Sequence, residues 1–274
     1  MQSPTGFDCA SFASLCEIFS PSFDSYTPFI LSGTSCFERE KLENKGRKRK
    51  IRPEDCLGIV LAWTRTRVSL LALQLIFGMT FSNIDDYLKF AKRIIVKVLR
   101  NDQWAHVRIP SSEKIEEYKE MVRNRHPFRT DVWCTMDGLK IMLEQSSDAL
   151  IQVHFYNGWT HDHYVSSVVC FCPDGTIPIA YINIPGAVHD RQIADYGDIY
   201  DKLETVYQQD GGQCTIDSAY GNVNREFLIK LSQELIHIRS YHAQSIARDA
   251  TSMRQPAERG MHAFQSSMPR IKDG

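Results

Sequence analysis

The spacing of apolar residues changes near Asp131, and this change separates two kinds of structure. Before it, apolar side chains recur at helical intervals, as at Leu57, Val60 and Leu61. After it, they form short strand-like runs such as Tyr164–Cys172. Helices and strands need different hydrophobic periods, so one pattern cannot serve both. We therefore predict a helical region followed by an α/β region in this chain of 274 residues.

Charge is distributed unevenly, although the whole chain has a formal net charge of −1. Residues 45–100 contain thirteen Lys or Arg and four Asp or Glu, and thirteen minus four gives +9. Such asymmetry suggests that this part of the chain contacts nucleic acid. Within it, the basic run Gly46–Arg52 is either a solvated linker or a patch for phosphate binding or nuclear import. Its candidate DNA-binding residues are Arg47, Lys48, Arg49, Lys50 and Arg52.

The basic segment has the pattern of a helix-turn-helix domain. One helix begins at Pro53, a second covers about Ser69–Phe77, and Gly78 interrupts the pattern before a third helix. A plain helical bundle would give the same pattern and stays open as the alternative. We expect a loosely ordered leader over residues 1–45, a basic helical domain over 46–125 and an α/β domain over 131–274.

The order of elements after Asp131 predicts an RNase H-like mixed sheet with flanking helices. Three strands come first, and Pro173-Asp174-Gly175 predicts the turn between the second and the third. Helices and strands then alternate. The predicted elements are strands Asp131–Leu143, Tyr164–Cys172 and Thr176–Ile184, helix Gln192–Tyr207, strand Gln213–Tyr220, helix Asn224–Ser232, strand Leu235–Ser240 and helix Pro256–Ser267.

The eight cysteines include no Cys-x-x-Cys pair, which argues against a zinc ribbon or finger. The N-terminus has no basic and apolar secretory signal, so we expect reduced intracellular thiols. The longest apolar stretch, Leu70–Met79, is far shorter than the ~20 residues that span a bilayer. We expect no membrane partner.

Three acidic residues lie where they could carry chemistry. Asp137 interrupts a strand-like run, Asp217 ends a short apolar strand, and Glu258 lies early in the last predicted helix. An acid buried in a sheet is costly unless it is paired or bound to metal. Converging carboxylates can hold Mg²⁺ or Mn²⁺, and two such ions suit phosphodiester cleavage. Taken singly, each acid is more often a capped turn or a surface charge.

Short motifs follow one another in a specific order through the second half of the chain. They are Met136-Asp137-Gly138, Tyr156-Asn157-Gly158-Trp159, Pro173-Asp174-Gly175, Pro185-Gly186 with His189-Asp190, Asp217-Ser218-Ala219-Tyr220, and Arg254–Met261. On these motifs the chain resembles the DDE superfamily endonucleases of PIF/Harbinger-type transposons. The resemblance covers roughly residues 46–273.

The resemblance implies a catalytic triad of Asp137, Asp217 and Glu258 that holds two Mg²⁺ or Mn²⁺ ions. It implies that the chain cuts and joins DNA phosphodiester bonds, with double-stranded DNA of transposon ends as its partner. A homo-oligomer and a separate Myb-like DNA-binding protein are further partners that the family implies. The basic run predicts that the protein is located in the nucleus.

Two departures from the family pattern leave an inactive, DNA-binding copy open as an alternative. The family usually has an aromatic residue where Arg259 follows the third acid. The chain also ends at Gly274, where relatives commonly continue, which leads us to expect a shortened C-terminus.

Other polar residues near the motifs allow different interpretations. His161, His163, His189 and Asp190 flank two predicted strands and could form a non-haem iron or zinc site, although their spacing fits no known ligand pattern. Asp190 could alternatively cap the following helix. As a third interpretation, Asp190 supports the three acids from outside the metal ligands or positions DNA.

Overall fold

The computed structural model describes residues 5–26, 51–66, 68–100, 102–103, 105, 107–127, 129–143, 146–217, 220, 225–230, 252, 257–267 and 269. Its contacts divide the chain into two compact units, Met1–His106 with Ser267–Ile271 and Val107–Ser266 with Lys272–Gly274. Arg47, Lys48, Arg49 and Lys50 lie outside the described residues, as does the predicted strand Leu235–Ser240. No described helix is long and apolar enough to cross a membrane.

The first unit is helical. Its helices are α1 (Cys9–Ser25), α2 (Pro53–Arg65), α3 (Leu70–Phe77) and α4 (Phe81–Arg100). The helices begin and end close to where the sequence predicts. Pro53 is the first residue of α2, and the Ser69 side chain caps the N-terminus of α3. Gly78 ends α3 in the left-handed conformation, with φ 63°. Cys56 and Leu57 of α2 and Ile94 of α4 are buried in the apolar core of this unit.

The prediction of a loosely ordered leader is wrong for residues 9–25, which form α1. The Asp8 side chain accepts a hydrogen bond from Ser11 N at 2.8 Å and caps the helix. Phe19 and Phe23, four residues apart, lie on one face and are buried in the core of the first unit. Burial of this aromatic face outweighs the Ser- and Pro-rich composition that suggested disorder.

Several basic side chains of α4 make contacts within the first unit. Lys89 forms an ion pair with Asp85 at 2.6 Å. The Nζ atom of Lys92 lies 3.3 Å from the centroid of the Trp63 ring, which is a cation–π contact. The excess of positive charge in this segment therefore serves internal packing at some positions.

The second unit is built around a mixed sheet. Its elements are α5 (Ser112–Arg125), β1 (Val132–Met142), α6 (Ala149–Phe155), β2 (Tyr156–Asn157), β3 (Asp162–Phe171), β4 (Ile179–Pro185), α7 (Asp190–Tyr196), α8 (Ile199–Asp210), β5 (Gln213–Ile216) and β6 (Leu228–Lys230). A further helical stretch, here called α9, covers residues 257–267.

The strand order identifies the fold. β4, β3 and β1 are antiparallel neighbours, and β1, β5 and β6 are parallel neighbours. The short β2 pairs with the first residues of β3. Three antiparallel strands followed by parallel strands with helical connections form the RNase H-like arrangement, so the predicted fold class is confirmed.

The two faces of this sheet have different neighbours. One face carries Met136 and Val168 and packs against α7 and α8 through residues such as Ile193 and Leu203. The other face carries Leu139, Val169 and Phe171, which pack with Ala257 and, less deeply, Met261 and Phe264 of α9. Because strand side chains alternate between faces, Asp137 points to the same side as Leu139, toward the face that α9 covers.

Some predicted elements differ from those observed. The single helix expected over Gln192–Tyr207 is two helices, α7 and α8, which are separated where Asp198 adopts a left-handed φ of 52°. Within the helix expected over Asn224–Ser232, residues 228–230 instead form β6, because pairing with β5 supplies their backbone hydrogen bonds. No helix was predicted where α6 lies.

The predicted domain boundary near residue 125 also differs from the division into units. α5 belongs to the second unit, because Ile115 and Tyr118 are buried in the core beside β1. Tyr118 Oη also donates a hydrogen bond to Asp174 Oδ2 at 2.6 Å, and this contact ties α5 to the turn between β3 and β4.

Candidate active site

Asp137 and Asp217 are neighbours across two parallel strands. Met136 of β1 pairs with Ile216 of β5, and each aspartate is the next residue of its chain segment. Neighbouring strands lie about 4.8 Å apart, so the register brings both residues to the same point at the end of β5. Both are half-buried, which allows contact with solvent or a ligand. Asp137 Oδ1 also accepts a hydrogen bond from Gly138 N at 2.8 Å.

Asp190 is the third acid of this region. It is the first residue of α7, and its carboxyl group occupies the space beside Gly138 that a side chain would fill. A Cβ atom built on Gly138 would lie 2.7 Å from Asp190 Cγ. Only glycine leaves room for such an approach, so Gly138 connects the motif of Asp137 to the loop that carries Asp190.

The electrostatics of Asp190 reflect a shared acidic site. Burial raises the pKa of Asp190, and the negative charge of Asp217 acts in the same direction. Lys140 and His189 act against this rise in pKa. Asp190 and Asp217 are therefore close enough to repel each other, and Lys140 is the cation of β1 that offsets part of the repulsion.

Tyr220 is tied to this region through its backbone, because Tyr220 N donates a hydrogen bond to Asp217 O at 3.3 Å. Its side chain is fully buried, and its hydroxyl has no hydrogen-bond partner among the described residues. Burial raises the pKa of Tyr220 well above its ordinary value, and the charges of Asp190 and Asp137 contribute to the rise. The site thus contains an unused hydroxyl donor beside two carboxylates.

Glu258 lies on a different element of the same unit. It is an exposed residue of α9 and follows Ala257, which packs on the face of the sheet that Asp137 shares. No three acids of the described residues have carboxylate oxygens all within 4.8 Å of one another. The structure therefore brings Asp137 and Asp217 together and places Glu258 on α9. The carboxylate oxygens of the predicted triad are not all within 4.8 Å of one another.

The alternative roles that the sequence left open can now be compared with the structure. The capping role of Asp190 is wrong, since His189 is the N-cap residue of α7 and no side chain caps that helix. The histidines contact other partners: His163 Nε2 lies 2.6 Å from Gln152 Nε2, and His161 Nδ1 lies 3.0 Å from Tyr156 Oη. Among the described residues these histidines do not gather with Asp190 as a metal site.

Arg52 is the one predicted DNA-binding residue of the basic run that the structure describes. It precedes α2 and is exposed, and its Nε atom donates to Asp55 Oδ2 at 3.1 Å. This exposed ion pair is worth little to stability and leaves the guanidinium accessible to solvent. The predicted contact of Arg52 with DNA stays a prediction.

An RNase H-like sheet that carries one aspartate within β1 and a neighbouring aspartate directly after β5 is the arrangement expected of an endonuclease of the DDE type. Residues 136–266 match the model of the family described as "DDE superfamily endonuclease". The resemblance inferred from the motifs is thus confirmed for residues 136–266, at the level of this superfamily.

Solved structures of a transposase share a weak overall likeness with the chain. The Mos1 transposase paired-end complex with left transposon end is 11% identical, with a TM-score of 0.26 over 88% of this chain and 85% of that chain. The Mos1 mariner paired-end complex with Mn is 12% identical, with a TM-score of 0.24 over 94% and 88%. These scores are too low to carry details of those complexes over. No curated protein matches the chain.

Three cysteines that no sequence motif brings together meet inside the sheet. Among the described residues, Cys134, Cys170 and Cys214 are the only set of His, Cys, Asp or Glu whose ligand atoms all lie within 4.8 Å of one another. Hydrogen bonds from the Cys134 and Cys214 thiols lower the pKa of Cys170 to about 5, against the effect of burial, and the charge of Lys202 also lowers it. A search for local Cys-x-x-Cys pairs cannot find residues that meet across strands.

Proposed function

We propose that this chain is a transposase-derived endonuclease that cuts and joins phosphodiester bonds of double-stranded DNA at transposon ends. The observation that carries the proposal is the register of β1 and β5, which makes Asp137 and Asp217 neighbours within a DDE endonuclease domain. Two adjacent, half-buried carboxylates at the point where β5 ends suit the binding of a hard divalent cation.

Asp137, Asp217 and Glu258 would hold Mg²⁺ or Mn²⁺, with two ions as the expected number. Bound divalent ions supply Lewis-acid stabilisation of phosphate oxygens and lower the pKa of a bound water. The donor set fits such ions, because it consists of carboxylate oxygens. A further acid, Asp190, lies beside it, and the charge of Asp217 raises the pKa of Asp190. Positive charge at this point would relieve that repulsion.

Other side chains of the site are suited to holding the phosphodiester. Lys140 is exposed and lies two residues beyond Gly138 on β1, where its ammonium can attract a DNA phosphate. Tyr220 has a hydroxyl without a partner among the described residues, so it can donate to an oxygen that enters the site. Asp190, held beside Gly138, would limit how far the acids can move.

DNA contact outside the site is assigned to the basic residues of the N-terminal half. Arg47, Lys48, Arg49, Lys50 and Arg52 would bind phosphate and direct the protein to the nucleus. Since each neutralised phosphate releases condensed counterions, such binding would weaken as salt increases. A homo-oligomer and a Myb-like partner protein belong to the same proposal.

A second function, DNA binding without cleavage, is favoured by one observation. The three predicted acids are not gathered within 4.8 Å of one another in the described structure, and Glu258 is exposed on α9. Arg259, which follows Glu258, departs from the family pattern and adds positive charge beside the third ligand. An inactive copy would keep the fold and the basic residues while losing cleavage.

A strand-nicking assay tests the proposal. Wild-type protein is incubated with Mn²⁺ and a supercoiled plasmid that carries terminal-repeat DNA of a transposon end. We expect nicking that EDTA abolishes, and we expect Asp137→Asn and Asp217→Asn each to lower the rate by about 100- to 1000-fold, the loss that follows removal of one preorganised electrostatic group from an active site. The matched control is Asp131→Asn, which changes an acid directly before β1, six residues ahead of Asp137, and should keep the wild-type rate.

DNA binding by each variant is measured in parallel by electrophoretic mobility. Binding should be nearly unchanged in Asp137→Asn, because the proposed phosphate contacts lie mainly elsewhere. Nicking by Asp137→Asn at the wild-type rate would refute the carboxylate mechanism. Specific binding without nicking, in wild type and variants alike, would instead support the inactive DNA-binding copy.

A further inference from the structure

Three cysteine side chains meet inside the second unit. Cys134 lies on β1, Cys170 on β3 and Cys214 on β5, which are adjacent strands. Cys134 pairs directly with Cys214, and Cys170 pairs with Met136, two residues farther along β1. All three sulfur atoms lie within 4.8 Å of one another. The sheet therefore presents three sulfurs as a triangle on one face.

The surroundings of this triangle are apolar. Cys134 is 3% exposed, and Cys170 and Cys214 are fully buried. The face is covered by α7 and α8, with Ile193, Leu203 and others in the same core. All three thiols are free, with no disulfide between any two of them. Because no carboxylate joins the group among the described residues, its available ligand atoms are all sulfur.

Three cysteine sulfurs favour particular metal ions. Zinc–sulfur bonds are about 2.3 Å long, so three sulfurs around one ion in a plane would lie about 4.0 Å apart. The three sulfurs already lie within 4.8 Å of one another, so small side-chain movements would bring them to this spacing. Soft thiolates select Zn²⁺ and similar thiophilic ions, whereas Mg²⁺ and Ca²⁺ need oxygen ligands. Three thiolates and one divalent ion carry a net charge of −1, and Lys202, whose charge acts on Cys170, offsets it.

We propose that Cys134, Cys170 and Cys214 form a structural site for one thiophilic divalent cation of the Zn²⁺ and Cd²⁺ class. Each thiol releases its proton to solvent as it becomes a thiolate ligand. The cation is bound as the strands assemble, since the finished core leaves the sulfurs almost inaccessible. This site is independent of the oxygen ligands at Asp137 and Asp217.

The position of the site suggests what it stabilises. Cys134 precedes Asp137 by three residues, and Cys214 precedes Asp217 by the same number. A cation that joins Cys134 to Cys214 therefore fixes the register of β1 against β5, and this register sets the two aspartates side by side. Cys170 adds β3 to the same junction. The bound cation would act as a cross-link among the three central strands.

Cadmium is the probe for this site. Full-length protein with Cys9 and Cys36 replaced by Ser is unfolded under reducing, metal-free conditions and refolded with one equivalent of Cd²⁺. We expect one ion per chain after gel filtration, an ultraviolet thiolate–cadmium charge-transfer band, and a melting temperature raised by roughly 10 °C. Excess Mg²⁺ should leave the band unchanged, which separates this site from the carboxylates.

Single substitutions assign the ligands. Cys134→Ala, Cys170→Ala and Cys214→Ala should each lose most of the band and of the thermal shift. The matched control is Cys172→Ala, a buried cysteine of the same core that lies outside the triangle and should keep both. Far-ultraviolet circular dichroism checks that each variant is folded.

Cadmium binding by the protein that keeps Cys134, Cys170 and Cys214 tests the proposal even if a single-cysteine variant fails to fold. Elution of Cd²⁺ free of the refolded protein would overturn the proposal. A charge-transfer band that survives all three substitutions, or that disappears in Cys172→Ala, would overturn the assignment of these three ligands. Neither outcome bears on nicking, so the endonuclease proposal is tested separately.

Discussion

The same two strands carry cysteines and aspartates in opposite environments. Cys134 and Cys214 point into a dry core, whereas Asp137 and Asp217 are half-buried at the end of β5. Each pair is separated by three residues, an odd number, so the sulfurs and the carboxylates lie on opposite faces of the sheet. The comparison shows that a single strand register can align two sets of ligands. The buried sulfurs suit soft metal ions, and the half-buried carboxylates suit hard ones.

The largest effect is expected from exchanging the two chemistries on one strand. Cys214→Asp would bury a charge without a partner and should lower the free energy of unfolding by about 3–5 kcal/mol or prevent folding. Asp217→Cys, three residues away, should change it by less than about 1 kcal/mol, because that position is half-buried and accepts a small apolar residue. Urea denaturation compares the two; equal losses of stability would break the contrast between the faces.

A smaller effect is expected where Asp190 passes Gly138. Gly138→Ala would set a Cβ atom 2.7 Å from Asp190 Cγ, so the carboxyl group or α7 must move. Overpacking of this kind costs about 1–3 kcal/mol of unfolding free energy. Gly158→Ala is the control, since its added Cβ meets nothing within 4 Å and should be nearly neutral.

The double variant Gly138→Ala/Asp190→Ala sharpens that test. Removing the carboxyl group relieves the clash, so the double variant should be more stable than Gly138→Ala alone. Additive losses in the double variant would show that Asp190 is not what crowds Gly138.

The smallest effect concerns pH. Burial, together with Asp217, raises the pKa of Asp190 in the folded state. The stabilisation linked to its protonated form is therefore complete below the unfolded pKa of about 3.9 and is lost as pH rises through the higher folded pKa. Wild type should lose stability relative to Asp190→Asn over this range. Urea unfolding at several pH values measures the difference, and a constant difference would contradict the shift.

Asp217→Asn provides the matched comparison for the same titration. Without the charge of Asp217, the folded-state pKa of Asp190 should be lower than in wild type, so the loss of stability should be smaller and should be complete at lower pH. An unchanged titration would mean that Asp217 does not act on Asp190.

The sequence predicted the sheet well where strands are long and apolar. The expected strand Asp131–Leu143 corresponds to β1, and Tyr164–Cys172 corresponds closely to β3, because extended apolar runs with a clear Pro-Asp-Gly turn leave little ambiguity. The prediction from sequence failed where pairing with another strand determines the secondary structure. The three residues of β6 have too little local preference to distinguish a strand from the predicted helix, and β5 supplies the missing information.

The candidate site was predictable in part. The motifs named Asp137 and Asp217, and the structure makes them neighbours through a register that no local pattern can specify. The role of Asp190 depends on the space beside Gly138, which appears only when α7 packs on the sheet. The group of three cysteines could not be predicted from the sequence either, because these residues meet across adjacent strands rather than along one segment of the chain.

The separation of β1 from β5 along the chain determines when the two aspartates meet. Thr135 and Thr215 are paired although they are 80 residues apart in sequence. The pairing of β1 with β3 closes a much shorter loop than the pairing of β1 with β5. The entropic cost of closing that loop is therefore lower by roughly 1 kcal/mol of free energy. Local pairings therefore tend to form first in a folding chain. A ribosome-bound chain that has not yet completed β5 has Asp137 alone, so the proposed nuclease would be inert toward DNA until β5 has been synthesised and has paired with β1.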